Sequence, residues 1–505
     1  MRNSSKIKTK ISLIITTFLI GVMIGTPLWN GSNIAQASNM TALNNSSYQF
    51  EGGYPTNATA QLAYDNADLG RAIEAYKFFY PTISTESFMQ VISPDKSNGG
   101  GVKFAAGPAH QAVLTPNSDT PYAAAVFDLK AGGPMVIDLP PGNFIGFVDD
   151  HNFRWVLDMG NTGPDKGQGG KYLILPPGYN GTVPSGYYVG KSDTWKVNFA
   201  IRSVPADGNA TKALAAFDDI KVYPLSEVGK PSNFRFVDVT NQSMPSNLVK
   251  WEDNPEYWKQ LKAVIDEETS PVEFRPMYGM LQSLGIEKGK PFGPDTRMTG
   301  ILQNAAKNAL AELKVNAFAN REPNRLVWND RNWEWTPLRQ FNGTTKDMGV
   351  ASYLDLQGMD NWFYQAVGAA LAMGKREPGG GSLYFAGFRD NTSAYLDGSK
   401  TYRLNVPAPV PGKLFWSVTV YDVGSRSEVV TDQNKAAIGS IVDKPQANPD
   451  GSYDIYFGPN APPGKEHQWI KTNPGKDWFA YFRIYGPEAP AFNGGWKLND
   501  IVEIK

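Results

Sequence analysis

The densest polar run in this 505-residue chain is Asp149-Asp150-His151-Asn152-Phe153-Arg154, with Asp158 four residues beyond it. Adjacent carboxylates beside an imidazole and a guanidinium have two chemical uses. They can work as a coupled general acid and base, or they can hold a hard divalent cation through oxygen ligands. The bland use is structural: Asp and Asn cap their own turns and Arg154 neutralises Asp158. A second polar turn, Asn117-Ser118-Asp119-Thr120-Pro121-Tyr122, precedes an apolar strand. Here Asp119 is expected to accept backbone N–H bonds and fix the turn, while Tyr122 faces a cleft. If both turns lie at one end of the same sheet, Asp119, Tyr122, Asp149, Asp150, His151 and Arg154 form a candidate catalytic set.

Three further segments could bind a ligand. Gly163 to Gly170 is too glycine-rich for a core element, and its amides could form an anion nest beside the charge of Lys166, or simply a flexible hairpin. Arg426 and Arg483, with Tyr421 nearby in the same β-rich section, could clamp a carboxylate or phosphate bidentately. Paired with Asp422 and Asp432 they would instead be internal salt bridges. Trp333 and Trp335 stand close to Trp328 among amides and carboxylates, as in a sugar-stacking surface; alternatively, these indoles lock a helical section onto a sandwich.

Other chemistries are excluded or weakened. The chain has no cysteine, so disulfides, thiolate metal sites and a cysteine nucleophile are out. It has three histidines, His110, His151 and His467, far apart in sequence, and no H-E-x-x-H, G-x-S-x-G, Walker A or EF-hand pattern. A formal net charge of -1 gives no electrostatic reason to expect nucleic acid as partner.

These residues need elements to position them. Arg2, Lys6, Lys8 and Lys10 precede an apolar stretch from Ile11 to Ile24, and Ala35-Gln36-Ala37 follows as a small-x-small cleavage pattern. This reads as a signal peptide over 1–37, leaving an exported chain with no stable membrane anchor. Residues 38–100 read as a polar leader and N-terminal helices. One helix spans about Thr59 to Tyr80 on the stripe Leu62, Leu69, Ile73, Tyr76 and Tyr80; Pro81 is expected to end it and Ser84 to cap a shorter one. Over 101–205, short apolar runs between Gly/Pro/Asn/Asp clusters predict a first β-sandwich. Over 206–375 helical signals dominate, with candidates at 254–266, 276–284, 295–318 (Asp295 as N-cap) and 359–373. From 376 to 505 the pattern returns to β.

Taken together, several segments resemble a known pair of domains. Thr115-Pro116-Asn117-Ser118-Asp119-Thr120-Pro121-Tyr122, Gly163 to Tyr172 and Leu175-Pro176-Pro177-Gly178-Tyr179 resemble the domain of unknown function numbered 1254. Phe415 to Asp422, Asp450-Gly451-Ser452, Tyr456-Phe457-Gly458-Pro459, Trp469 and Arg483-Ile484-Tyr485-Gly486-Pro487 resemble the companion domain numbered 1214. The resemblance implies a mainly β protein with a helical section: an N-terminal immunoglobulin-like sandwich, a central helical segment and a C-terminal jelly-roll-like sandwich, in an exported bacterial protein. It implies no settled activity.

The leading functional expectation is a carboxylate- or cation-assisted hydrolase or lyase with a cleft between domains. The alternatives are a non-catalytic module binding a glycan or another small ligand, and an envelope structural or assembly protein that self-associates as a homo-oligomer.

Overall fold

The computed structural model describes residues 48–93, 100–105, 107, 113–205, 208–242, 250–340, 348–350 and 352–504. The expected signal peptide, its cleavage pattern and His110 lie outside the described residues. The described residues up to Asp65 belong to one unit, a short hairpin and the first turns of a helix; Asn66 onward forms a second, which carries everything below. No helix among the described residues is long and apolar enough to cross a membrane.

The first helix, α1, runs from Asn57 to Ile92 with Pro81 inside it. The expected stop at Pro81 and restart at Ser84 do not occur. Proline in a helix interior costs about 3 kcal/mol, through a missing N–H and a clash with the carbonyl one turn back. Here that local cost is outweighed by packing, because Tyr76, Phe78, Phe79, Tyr80, Ile83 and Phe88 are all buried in one core. The Thr85 hydroxyl donates to the Pro81 carbonyl at 2.8 Å.

The fold is mainly β with a helical section, built on two sandwich-like pairs of sheets. In the first sandwich the strands are β1 (Gly101–Phe104), β2 (Tyr122–Asp128), β3 (Met135–Leu139), β4 (Phe144–Asp150), β5 (Trp155–Gly160), β6 (Gly170–Leu175), β7 (Tyr188–Lys191), β8 (Lys196–Ser203), β9 (Lys221–Pro224) and β10 (Phe236–Asp238). A six-stranded sheet in the order β10-β1-β2-β8-β4-β5 faces a four-stranded sheet in the order β9-β3-β6-β7. Side chains alternate across each strand. Ala123, Ala125, Val148, Val197, Phe199 and Ile201 therefore enter the core against Ile137, Leu139, Tyr172 and Ile174. The intervening positions of β2, β4 and β8 turn to the opposite face, and several are small. Ala124 and Ala200 leave a trough there.

Between the sandwiches, α2 (Glu256–Glu267), α3 (Arg275–Ser283) and α4 (Thr296–Phe318) pack on α1 through Trp258, Leu261, Leu281, Leu302, Ala305 and Ala309. Asp295 caps α4 as expected, accepting the Met298 N–H at 2.7 Å. The single helix expected over 359–373 is broken. A helix α5 spans Leu356–Gln365, an extended stretch follows, and a short turn α6 covers Leu371–Gly374. Gly368 in that stretch has φ +82°, and a Cβ there would lie 2.6 Å from the Phe147 ring. Close approach to β4 thus overrides the helical periodicity.

The C-terminal sandwich contains β11 (Trp333–Thr336), β12 (Ser382–Gly387), β13 (Thr401–Val406), β14 (Gly412–Asp422), β15 (Ala437–Gly439), β16 (Tyr453–Gly458), β17 (Trp469–Lys471), β18 (Trp478–Pro487) and β19 (Ile501–Ile504). Its sheets have the orders β11-β12-β18-β14-β15 and β17-β16-β13-β19. Leu383, Phe385, Val418, Val420, Phe482 and Ile484 meet Leu404, Ile455, Phe457 and Ile501 in the core between them. Both sandwiches take strands from the stretch read as helical: β9 and β10 join the first, and β11 joins the second.

Candidate functional site

The outward faces of the two sandwiches line a pocket between them that is partly open to solvent. Tyr122 and Ala124 of β2, Asn198, Ala200 and Arg202 of β8, and Ile145 and Phe147 of β4 form one side. Ser382 and Tyr384 of β12, with Tyr481 and Arg483 of β18, form the other. Phe88, Phe104, Phe153 and Trp362 make the body of the cavity apolar, and the stretch after α5 closes it through Val367, Gly368, Ala370, Ala372 and Met373.

One end of the cavity is cationic. Arg202 is half-buried, donates to the Tyr485 hydroxyl at 3.3 Å and lies 5.3 Å from the Tyr122 ring centre. Arg483 is 2% exposed and donates to Thr419 Oγ1 (2.9 Å), the Tyr421 hydroxyl (2.6 Å) and the carbonyls of Thr115 (3.1 Å) and Pro116 (3.4 Å). Its Nε is buried without a partner among the described residues. Tyr384, Tyr421 and Tyr481 place their rings 5.4–5.6 Å from its guanidinium carbon. Burial raises the phenol pKa values of Tyr122, Tyr481 and Tyr485, so these groups stay protonated hydroxyls at neutral pH. Neither arginine has a carboxylate within 4.0 Å among the described residues; the groups in contact with them there are neutral oxygens and rings.

Two carboxyls sit near Arg483 but do not line the cavity. Asp119 is buried and its carboxyl is pushed up to about 6 by burial, against the opposing pull of Ser417 and Arg483. Glu428 accepts from the Ser118 hydroxyl at 2.5 and 2.6 Å and is pushed up to about 7 by burial. The turn carrying Asp119 is a clasp between sandwiches. Thr115 N–H donates to the Arg426 carbonyl (2.7 Å), Asn117 Nδ2 donates to the Tyr485 hydroxyl, and Tyr421 donates to the Pro116 carbonyl. Asn117 fixes the turn by accepting the Asp119 N–H, the role expected of Asp119 itself. Asp119 Oδ1 would lie 2.7 Å from a Cβ at Gly439, which explains the glycine there.

The Asp149–Arg154 run is at the other end of the sheet. Arg202 pairs with Tyr122 and Ile145, whereas Asp150 pairs with Val197, five residues along β8 and about 17 Å away at ~3.4 Å per residue. The expectation that both polar turns share one end is therefore overturned by register. The run's charges are engaged internally. His151 is fully buried, with Nδ1 3.0 Å from Glu268 Oε1 and Nε2 3.1 Å from Glu86 Oε2. Burial disfavours the imidazolium, but the two carboxylates more than offset this and raise its pKa. Burial would likewise raise Glu86, yet His151 holds it down at about 2.

Arg154 bonds Asp193 (3.0 Å) and Glu273 (2.9 Å) rather than Asp158, which reaches Trp155 Nε1 (3.0 Å) and the Ala372 N–H (3.1 Å) instead. Asp150 Oδ1 accepts the N–H groups of Asn152 and Arg154, and Asp149 Oδ2 accepts that of Ala369 at 2.6 Å. No group of three or more acidic or histidine side chains among the described residues is placed to hold a metal ion. Of the six candidate catalytic residues, only Tyr122 lines the cavity.

The ligand candidates divide in the same way. Arg426 is fully buried, but its partner is Glu252 (Nη1–Oε2 3.3 Å) and its face lies on the Tyr364 ring at 4.2 Å; the expected partners Asp422 and Asp432 are engaged elsewhere, Asp432 with Lys471. Trp333 is 1% exposed in the C-terminal core and donates to the Asn499 carbonyl, so it offers no face to a sugar. Trp335 is half-buried with the Arg376 guanidinium 4.2 Å over its ring. Tyr421 supports Arg483 as described. Lys166 is exposed at the rim of a second, more open cleft. Sequence reading missed Arg202, Tyr384, Tyr481 and Tyr485. A period-two reading of Lys196–Ser203 contains the signal for Arg202: Asn198, Ala200 and Arg202 share one face, and two of the three are polar.

Fold and site define a protein of two sandwiches with a largely apolar cavity lined by both. Residues 102–224 match the family described as Protein of unknown function (DUF1254), and residues 381–489 match Protein of unknown function (DUF1214); the chain carries both domains, in that order. Its fold is similar to the crystal structure of the VPA0106 protein from Vibrio parahaemolyticus, at 19% identity and TM-score 0.53, covering 87% of this chain and 100% of that one. A crystal structure of an uncharacterized protein from Burkholderia cenocepacia aligns at 11% identity and TM-score 0.38, covering 88% of this chain and 97% of that one. No curated protein matches the chain.

Proposed function

We propose that this chain binds a small apolar molecule carrying one anionic group, with the anion between Arg202 and Arg483 and the apolar body among Phe88, Phe104, Phe147 and Trp362. The observation that carries this reading is the pair of guanidiniums at one end of an apolar cavity, with no carboxylate partner among the described residues. Burying a cation is costly unless an opposite charge and hydrogen bonds compensate it. A carboxylate or phosphate would supply both, in bidentate geometry. The hydroxyls of Tyr122 and Tyr384 line the same end and can donate to such a group. The basic and apolar start of the sequence, ending in Ala35-Gln36-Ala37, supports an exported location for this binding.

The test is calorimetric titration of the chain with dodecanoate, dodecyl phosphate and the uncharged dodecanol. The expected result is saturable one-to-one binding of the anions, with dodecanol at least tenfold weaker. Equal affinity for all three, or none for any, overturns the reading.

A further inference from the structure

The cavity also has a polar residue away from the arginines. Alternate residues of a strand share one face, and Asn198, Ala200 and Arg202 of β8 all line the cavity. Asn198 stands four residues from Arg202, about 14 Å along the strand at ~3.4 Å per residue. Between them Ala200 lies in register with Ala124 and Phe147, so the intervening wall is apolar. Asn198 is fully buried. Its Nδ2 lies 3.4 Å from the Asp149 carbonyl and donates to it. A carbonyl only accepts, so the amide nitrogen must be the atom that faces it. That orientation leaves Oδ1 as the remaining acceptor, and it has no hydrogen-bond partner among the described residues. The indole Nε1 of Trp362, which also lines the cavity, is already spent on the Gly368 carbonyl at 2.7 Å. Asp149 Oδ1 is without a partner too, but Asp149 does not line the cavity.

We propose that the ligand carries a hydroxyl at the end remote from its anion and donates it to Asn198 Oδ1, which makes the ligand class an ω-hydroxylated aliphatic acid. This rests on the ligand reading above and adds the chemistry of the far end. A buried acceptor discriminates through what a wrong ligand leaves unpaired. A methyl end would cover Oδ1 and give it no donor, whereas a hydroxyl satisfies the amide and itself. Apolar burial alone gives the opposite order, because a hydroxyl moved into a purely apolar end loses its bonds to water and regains none. A hydroxyl also fits better than an ammonium: no Asp or Glu lines the cavity, and a second buried charge would lack a counter-ion.

The test is calorimetric titration of the full chain with two matched pairs, decanoate against 10-hydroxydecanoate and dodecanoate against 12-hydroxydodecanoate, whose lengths suit the ~14 Å span. In the wild type, one of the hydroxy acids is expected to bind about tenfold more tightly than its plain partner. Asn198→Leu keeps the approximate volume and removes the acceptor, and there the order is expected to reverse in favour of the plain acid. Each preference is a ratio measured within one protein, so a general loss of stability in the variant does not produce the reversal. The wild-type comparison needs no variant and decides the matter if Asn198→Leu fails to fold. Equal or weaker binding of both hydroxy acids by the wild type overturns the hydroxyl assignment and leaves the anion reading standing, as does a wild-type preference that Asn198→Leu retains. A wild type that binds none of the four overturns both.

Discussion

The Asp149–Arg154 loop and the Arg202–Arg483 pair lie at opposite ends of one sheet face, and both bury charge. In the loop, other elements supply the answering charges: His151 lies between Glu86 of α1 and Glu268 beyond α2, and Arg154 between Asp193 and Glu273. At the cavity end, the guanidiniums meet hydroxyls, carbonyls and ring faces, and none of these carries a formal charge. The first arrangement sets its imidazole and guanidinium against carboxylates of other elements and holds helices to a sandwich. The second is electrostatically incomplete and faces a cavity. Density of polar residues in sequence therefore marks the brace here, while the site is assembled from isolated polar positions on strands far apart in the chain.

The largest effect expected from breaking a brace is at Arg426. Arg426→Met leaves Glu252 buried and unpaired and should cost about 3–5 kcal/mol in urea unfolding. The double change with Glu252→Gln should recover most of that loss, because it removes the orphaned charge.

His151 sharpens the contrast through pH. Its folded-state pKa is raised, so its contribution is complete below the ordinary value of about 6.5 and disappears as pH rises through the higher folded value. Glu86 is depressed to about 2, so its contribution is present above ~4.5 and is lost as pH falls toward that value. Melting temperature against pH should therefore decline on both flanks for this cluster. In His151→Gln the alkaline decline attributable to the cluster should vanish, with about 3 kcal/mol lost at pH 6.

At the cavity end the opposite pattern is expected. Arg202→Gln removes a charge-assisted bond worth about 1.5–3 kcal/mol, so dodecyl phosphate affinity should fall roughly ten- to a hundredfold. Stability should change by less than ~1 kcal/mol, since no carboxylate is left behind. A larger loss of stability than of affinity would make Arg202 a brace like Arg154 and dissolve the comparison.

The smallest effect is a titration. Asp119 at about 6 and Glu428 at about 7 lose their negative charge as pH falls, which makes the surroundings of Arg483 more positive. An alkyl sulfonate, ionised throughout, should bind a few-fold more tightly at pH 5 than at pH 8. Glu428→Gln should flatten that dependence, and calorimetry at the two pH values measures it.

Legibility followed the range of the interactions. Helix α4 was readable because its apolar stripe and its Asp295 cap are local, repeating every three or four residues. The strands of both sandwiches were readable from alternation and turn residues, and the paired-domain motifs were visible as short contiguous strings. Trp333 was open from sequence to a sugar-stacking or a locking reading; it is buried on a strand within the C-terminal core, which leaves no face for a sugar. The helix through Pro81 was hidden, since its cause is burial against residues almost two hundred positions away, such as Tyr257 and Trp258. The break after Gln365 was hidden because Phe147 imposes it from the first sandwich, more than two hundred positions away.

By itself, then, the sequence determined the order of β, helical and β sections, the lack of thiol chemistry and the family to which two segments are similar, all of which depend on composition or on neighbours a few residues apart. Tertiary structure alone decided which polar residues are satisfied and which face a cavity. Arg202, Tyr384 and Arg483 are brought together by two sheets packing outer face to outer face, and no spacing along the chain encodes that contact.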